Sequence, residues 1–305
     1  MAAQKKDPEM TSSISRRDFV RLGTAAAATA AVSTHLSAAE LKSPIGLQLY
    51  SVRTLLPKDF EGTLAKVAAV GYKNVEAAGY YDKTAPEWRK AMDNAGLRCV
   101  STHHPLPMLR QHEDEYIEFA HAAGMSYIIC SSPMRKPDPA STTPPHYGEK
   151  MSLDDWHWAS DEFNRIGAKV KAAGLQFGYH NHVEVFVTID GKLVYDELLS
   201  RTDPKLVVFE MDCGWVKVAG ADPLTYLTRS PERFPLLHVK DFNLSGTDRS
   251  HMQSLVLGTG SIDYHPILRA AKGLKQYFVE QEEFASGDPI GELTKDAAYM
   301  KAFRL

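Results

Sequence analysis

Cysteine is scarce in this chain: three residues in 305, Cys99, Cys130 and Cys213. An odd count cannot pair fully within one chain, which excludes a fold stapled by a disulfide framework and leaves these side chains as buried thiols, with at most one intramolecular disulfide. Cationic surplus is absent as well. Lys and Arg number 35 against 38 Asp and Glu, a formal charge of −3, so the chain has no global electrostatic reason to hold nucleic acid. No Gly-rich phosphate fingerprint follows the first strand-like run, where the sequence reads LQLYSVRTLLP, and this disfavours a doubly wound dinucleotide-binding sheet. Long apolar runs are missing too. The nearest, LGTAAAATAAVSTHLSAA at 22–39, is too short and too rich in alanine to span a bilayer.

That run follows Ser15-Arg16-Arg17-Asp18-Phe19-Val20-Arg21, and the paired arginines ahead of small residues look like a twin-arginine secretion signal with a cleavage site at Ala39. Residues 1–39 are therefore expected to be the signal and 40–305 the folded domain. The destination is the periplasm or the medium, with no stable membrane insertion after the signal is removed. Residues 1–39 carry five Lys/Arg and three Asp/Glu, so their loss moves the charge from −3 to −5. The remaining 266 or so residues, from a chain with 44% hydrophobic content, suit one large core, and a single α/β barrel runs to about 250 residues.

A small internal repeat supplies the architecture. AAVGYKNVE, DNAGLRCVS, HAAGMSYII and KAAGLQFGY each combine a helical tail, a glycine (71, 96, 124 or 174) and a short apolar run. Glycine just past a helix can take the left-handed conformation and turn the chain into a strand, so each marks a helix-to-strand junction. Extending the pattern predicts strands near 45–50, 73–77, 98–102, 126–131, 175–180, 206–211, 236–240 and 276–281. Helices are predicted near 59–70, 86–95, 112–123, 154–173, 192–200, 222–229, 263–271 and 289–303. Eight alternations predict a single-domain (β/α)8 TIM barrel. A Pro-rich insertion at 133–147 interrupts the fourth unit.

In such a barrel the active site lies where strands pass into the following loops. Four of the predicted strands end there in metal-ligating side chains: GYHNH at 178–182, FEMD at 209–212, LLHVKD at 236–241 and YFVEQEE at 277–283. Asp212 after an apolar run needs a cation or a partner, unless it caps the next turn. His238 joins it, and Glu280 and Glu282 share a face, so one can bind metal while the other moves a proton. His180, His182 and Glu184 compete for one coordination position and a catalytic role. An imidazole suits a general base near neutrality, and the surplus histidine, His182, is the favoured one. Gln48, Tyr50, His104, Trp215 and Lys240 are candidates to line a substrate pocket, with Glu76 and His103 as further polar strand ends.

IGLQLYSVR, YHNH, EMDCGW, HVKDF and VEQEEF together resemble the sugar phosphate isomerase/epimerase superfamily, the xylose-isomerase-like barrels, across the whole region after the signal. The resemblance implies a divalent metal, Mn²⁺ first and Co²⁺, Mg²⁺ or Zn²⁺ as alternatives, held by Asp212, His238 and Glu280. Its first ligand is a glutamate. Here the strand end carries His180, and Glu184 is the expected fourth ligand, with His180 close behind. The implied activity is isomerisation or epimerisation of a carbohydrate through proton abstraction beside a carbonyl and a metal-stabilised enediolate, with His182, His180 and Glu282 as the catalytic set. A keto-glycoside lyase or dehydratase using the same site is the first alternative, a non-catalytic periplasmic sugar-binding protein the second, and a metal-dependent endonuclease the third. The expected partner is a small sugar or keto-glycoside and no nucleic acid, and homo-oligomer formation is left open.

Overall fold

The computed structural model describes residues 41, 43–138, 150–246 and 252–305. The arginine pair, the alanine run and the cleavage site at Ala39 lie outside these residues, as does most of the Pro-rich insertion. Eight parallel strands form a closed barrel: β1 (Gly46–Gln48), β2 (Asn74–Ala77), β3 (Arg98–Pro105), β4 (Tyr127–Ser132), β5 (Gln176–His180), β6 (Val207–Asp212), β7 (Leu236–Val239) and β8 (Gln276–Val279). Each pairs with its sequence neighbour, and β8 returns to β1 through Gly46 opposite Phe278. The helices between and after them are α1 (Phe60–Val70), α2 (Ala85–Ala95), α3 (Glu113–Ala123), α4 (Leu153–Ala172), α5 (Val194–Arg201), α6 (Pro223–Arg229), α7 (Tyr264–Ala270) and α8 (Pro289–Ala302).

Local chemistry explains these boundaries. Gly71, Gly96 and Gly124 stop α1, α2 and α3 with φ of +117°, +68° and +76°, and Gly174 lies just beyond α4 at +81°, the left-handed backbone that lets the chain reverse into the next strand. Reciprocal side-chain and backbone bonds start α2 (Thr84 with Glu87) and α4 (Ser152 with Asp155), while Asp59, Asp222, Asp263 and Asp288 cap α1, α6, α7 and α8. Two short helices were not expected from the sequence. Leu106–Gln111 has proline in its first turn, and Cys213–Val218 is started by the Asp212 side chain, which accepts a hydrogen bond from Trp215 N–H. Among the described residues no helix is long and apolar enough to cross a membrane.

Strand alternation separates two apolar regions. Val207, Phe209 and Met211 of β6 belong to the large core between barrel and helices, which also takes Trp88, Trp156 and Phe163. Val100, Ile129, Leu236 and Phe278 form a smaller cluster of their own inside the barrel. All three cysteines are buried and free, as their scarcity suggested. Within β3 alternation breaks at Val100. Val75 pairs with Cys99 but Glu76 pairs with Ser101, so Val100 is an extra residue, and both Val100 and Ser101 face inward.

Gly178 on β5 sits in the inner layer, where an added Cβ would lie 2.7 Å from Ile129 Cδ1 and 3.3 Å from Val208 Cγ2. Gly178→Val is expected to overpack the barrel and cost about 1–3 kcal/mol. A lowered urea midpoint with unchanged slope would show it, and a wild-type midpoint would refute the inner-layer contact.

Candidate active site

The polar strand ends converge at the C-terminal end of the barrel in two levels. Asp212, Lys240, Glu280 and Glu282 make the upper level, nearer the loops. Lys240, fully buried, sets its Nζ 3.1 Å from Asp212 Oδ2, 2.9 Å from Glu280 Oε2 and 2.5 Å from Glu282 Oε1. Burial alone would depress this lysine, but the three carboxylates hold it charged, well above its ordinary range. Asp212 is pushed up by burial against the pull of Lys240, whereas Glu280, also buried, is held well below the carboxylate range by Lys240 and His238. Glu282 is raised by burial despite its lysine partner.

The lower level contains Glu76, Glu210, His103, Gln48 and Ser101. Glu210 Oε2 lies 2.6 Å from His103 Nε2 and 3.2 Å from His180 Nδ1. Glu76 accepts from Gln48 Nε2 at 2.7 Å and from Ser101 Oγ, and its Oε1 lies 2.9 Å from His103 Nε2. Burial opposes a charge on His103, yet Glu76 and Glu210 raise it to about 9. His238 joins the levels, its Nδ1 2.9 Å from Glu280 Oε2 and its Nε2 2.8 Å from Glu76 Oε1.

One ligand atom each from His180, Asp212, His238 and Glu280 lies within 4.8 Å of all the others, and all four residues are buried. Asp212 spends Oδ1 on the Trp215 N–H, while Oδ2, buried, faces the Lys240 ammonium. Two imidazoles and two carboxylates, all buried and converging, fit a divalent ion of intermediate hardness. His103, His180, Glu210 and His238 meet the same distance condition one level down.

Asp212, His238 and Glu280 thus come together as the sequence pattern suggested. The fourth position goes to His180 rather than the expected Glu184. The strand stops at His180 and the chain enters a 3-10 turn at Val183–Val185, so alternation does not carry Glu184 inward. Glu184 lies instead with Oε1 3.9 Å from His182 Nδ1. His182 stands at the mouth, its ring 4.9 Å from His180 and 6.1 Å from Trp215. Burial and the Lys240 charge push it down to about 3, so it is neutral at physiological pH. His182 Nδ1, Glu184 Oε1 and Trp215 Nε1 are all buried without a hydrogen-bond partner among the described residues.

Of the other pocket candidates, Tyr50 is 42% exposed at the rim beneath the Arg53 guanidinium, and Trp215 faces the Lys240 ammonium at 5.1 Å. Gln48 does not line the pocket; it is buried on β1 opposite Glu76 and holds that carboxylate. Lys240 is enclosed by its three carboxylates. His104 requires a correction. The bulge at Val100 and Ser101 shifts the parity of β3, so His103 enters the site and His104 faces the helices, stacked on Tyr116 at 3.7 Å and bonded to Tyr80 and Thr102. Glu210, which the strand-end pattern does not single out, lies two residues before Asp212 and therefore on the same face.

The profile described as "xylose isomerase-like TIM barrel" matches residues 64–303. The chain belongs to that family. An inosose dehydratase from Lacticaseibacillus casei is 24% identical over 271 residues, covering 80% of this chain and 89% of the relative. A crystal structure of a sugar phosphate isomerase/epimerase from Parabacteroides distasonis superposes with a TM-score of 0.67 at 28% identity, covering 90% of this chain and 98% of the other. The zinc-bound IolI protein superposes at 0.65 with 11% identity over 86% of this chain and 100% of that one, a likeness of fold. The expected sugar isomerase/epimerase-like enzyme, with a lyase among its options, agrees with these relatives.

The burial of His104 has a measurable cost. Desolvation, aided by the neighbouring His103, lowers it to about 3, whereas in the unfolded chain it protonates near ~6.5. The unfolded state therefore takes the proton first, and stability is lost as pH falls from ~6.5 toward 3. Between pH 7 and pH 5 wild type should lose about 2 kcal/mol more than His104→Gln in denaturant unfolding. Equal losses would refute the neutral, helix-facing His104.

Proposed function

We propose that the protein is a divalent-metal-dependent enzyme that removes a proton from the carbon beside a carbonyl of a sugar-like substrate and expels a β-hydroxyl as water. The observation that carries this reading is a neutral imidazole, His182, at the mouth of a four-donor group whose carboxylates also touch the charged Lys240, itself paired with Glu282. His180, Asp212, His238 and Glu280 would hold the metal, which when bound supplies Lewis acidity to a carbonyl oxygen.

The chain's own groups divide the remaining work. His182 offers a lone pair throughout the physiological range. Glu282, raised by burial, is suited to carry a proton to the departing hydroxyl, while Lys240 orients it. Trp215 Nε1 and Glu184 Oε1 offer one donor and one acceptor to substrate hydroxyls, and the Trp215 face can stack on a ring. Elimination is supported by the likeness to an inosose dehydratase. Isomerisation or epimerisation is the second reading, favoured by the likeness to the Parabacteroides isomerase/epimerase, and it begins with the same proton removal. The paired arginines support export, and an exported enzyme would meet unphosphorylated substrates.

Protein loaded with Mn²⁺ or Zn²⁺ and incubated in D₂O with keto-sugars and keto-cyclitols should exchange an α-proton and yield an unsaturated or isomerised product. His182→Ala should keep its metal and lose about 100-fold or more in that exchange. Asp212→Asn should lose the metal itself. Ligand-induced stabilisation without exchange or product across the panel would replace this reading with a sugar-binding one.

A further inference from the structure

His238 is unusual in having a carboxylate on each ring nitrogen. On the upper side Nδ1 faces Glu280 Oε2 at 2.9 Å and Asp212 Oδ2 at 3.9 Å; on the lower side Nε2 faces Glu76 Oε1 at 2.8 Å and Glu210 Oε2 at 3.2 Å. A ligating imidazole gives one nitrogen to the ion and needs an acceptor for the N–H on the other. Asp212 and Glu280, the other carboxylates of the four-donor group, lie on the Nδ1 side. Nε2 must then carry the proton, and a lower-level carboxylate must receive it.

Both lower carboxylates also face His103, and Glu210 faces His180 in addition. Glu76 is nearer and better anchored. It reaches His238 from β2, outside the β7–β8 pair, and is held by Gln48 Nε2 from β1 and Ser101 Oγ from β3, with no part exposed. Gln48 and Ser101 give Glu76 a fixed orientation that no flexible surface carboxylate would have.

We propose that Glu76 is a positioning residue that fixes His238 as the Nε2–H tautomer, aims its Nδ1 lone pair between Asp212 and Glu280, and thereby sets the affinity of the site for a divalent cation. The inference rests on the metal-dependent reading above and deepens it. Glu76→Gln preserves shape and one acceptor oxygen but removes the charge, and its amide NH₂ can accept from neither Gln48 nor Ser101.

The test uses the full chain, competed for Zn²⁺ against a chromophoric chelator, with ¹⁵N-histidine NMR of the Zn²⁺-loaded form. Wild type should bind zinc through His238 Nδ1 with the proton on Nε2. Glu76→Gln should weaken zinc binding by about 10- to 100-fold, and Ser101→Ala, which keeps the carboxylate but removes one anchor, should weaken it less. If Glu76→Gln does not fold, the His238 tautomer in wild type and the Ser101→Ala affinity still decide. Wild-type affinity in both variants, or ligation through Nε2, overturns the role of Glu76 alone. A wild-type chain that binds no zinc, manganese, cobalt or magnesium overturns the metal reading and this inference with it.

Discussion

Lys240 buried against Asp212, Glu280 and Glu282 is the contact on which the upper end of the barrel depends. An ammonium withdrawn from water costs several kcal/mol unless oxygen atoms replace its hydration, and each carboxylate drawn in carries a penalty of its own. The group is stable only as a set. Asp212 and Glu280 belong to the four-donor group, while Glu282, outside that group, also touches the lysine. Burial and the same ammonium keep His182 neutral at the mouth. One buried charge thus links the four-donor group to the mouth of the site.

Below it, barrel register does the arranging. Strands pair with a stagger that sets Asp212 beside His238, His180 beside Glu210, and Gln48 beside Glu76. Positions two apart on one strand face the same interior at different heights, so Glu210 and Asp212 fall on separate levels. The bulge in β3 turns His103 into the lower level and sends His104 to the helix layer. Apolar residues, among them Val100, Ile129, Leu236 and Phe278, form a cluster of their own inside the barrel.

Much of the architecture was readable because its signals are local. A glycine beyond a helix, an aspartate or serine before one and a run of branched residues each act within a few positions, so all eight strands and the eight main helices fall close to where the pattern placed them. The short helix at Cys213–Val218 is started by Asp212, whose Oδ1 caps it while Oδ2 faces Lys240, so the cap and the four-donor group use different oxygens of one side chain. Asp212, His238 and Glu280 stood out as polar ends of apolar runs. Glu76 and Glu210 stood out less, since their partners are 25 to 162 positions away.

The chain by itself determined the βα rhythm, the end of the barrel that carries chemistry and the kinds of side chain available there, because helix caps, strand alternation and desolvation penalties operate on neighbouring residues. Tertiary structure decided which of those side chains meet. His180 replaced Glu184 in the four-donor group because the strand ended and a tight turn began; His103 replaced His104 because one extra residue reversed the alternation of β3. Both outcomes depend on pairing between distant strands, and pairing register is a property of the closed sheet that no single segment encodes.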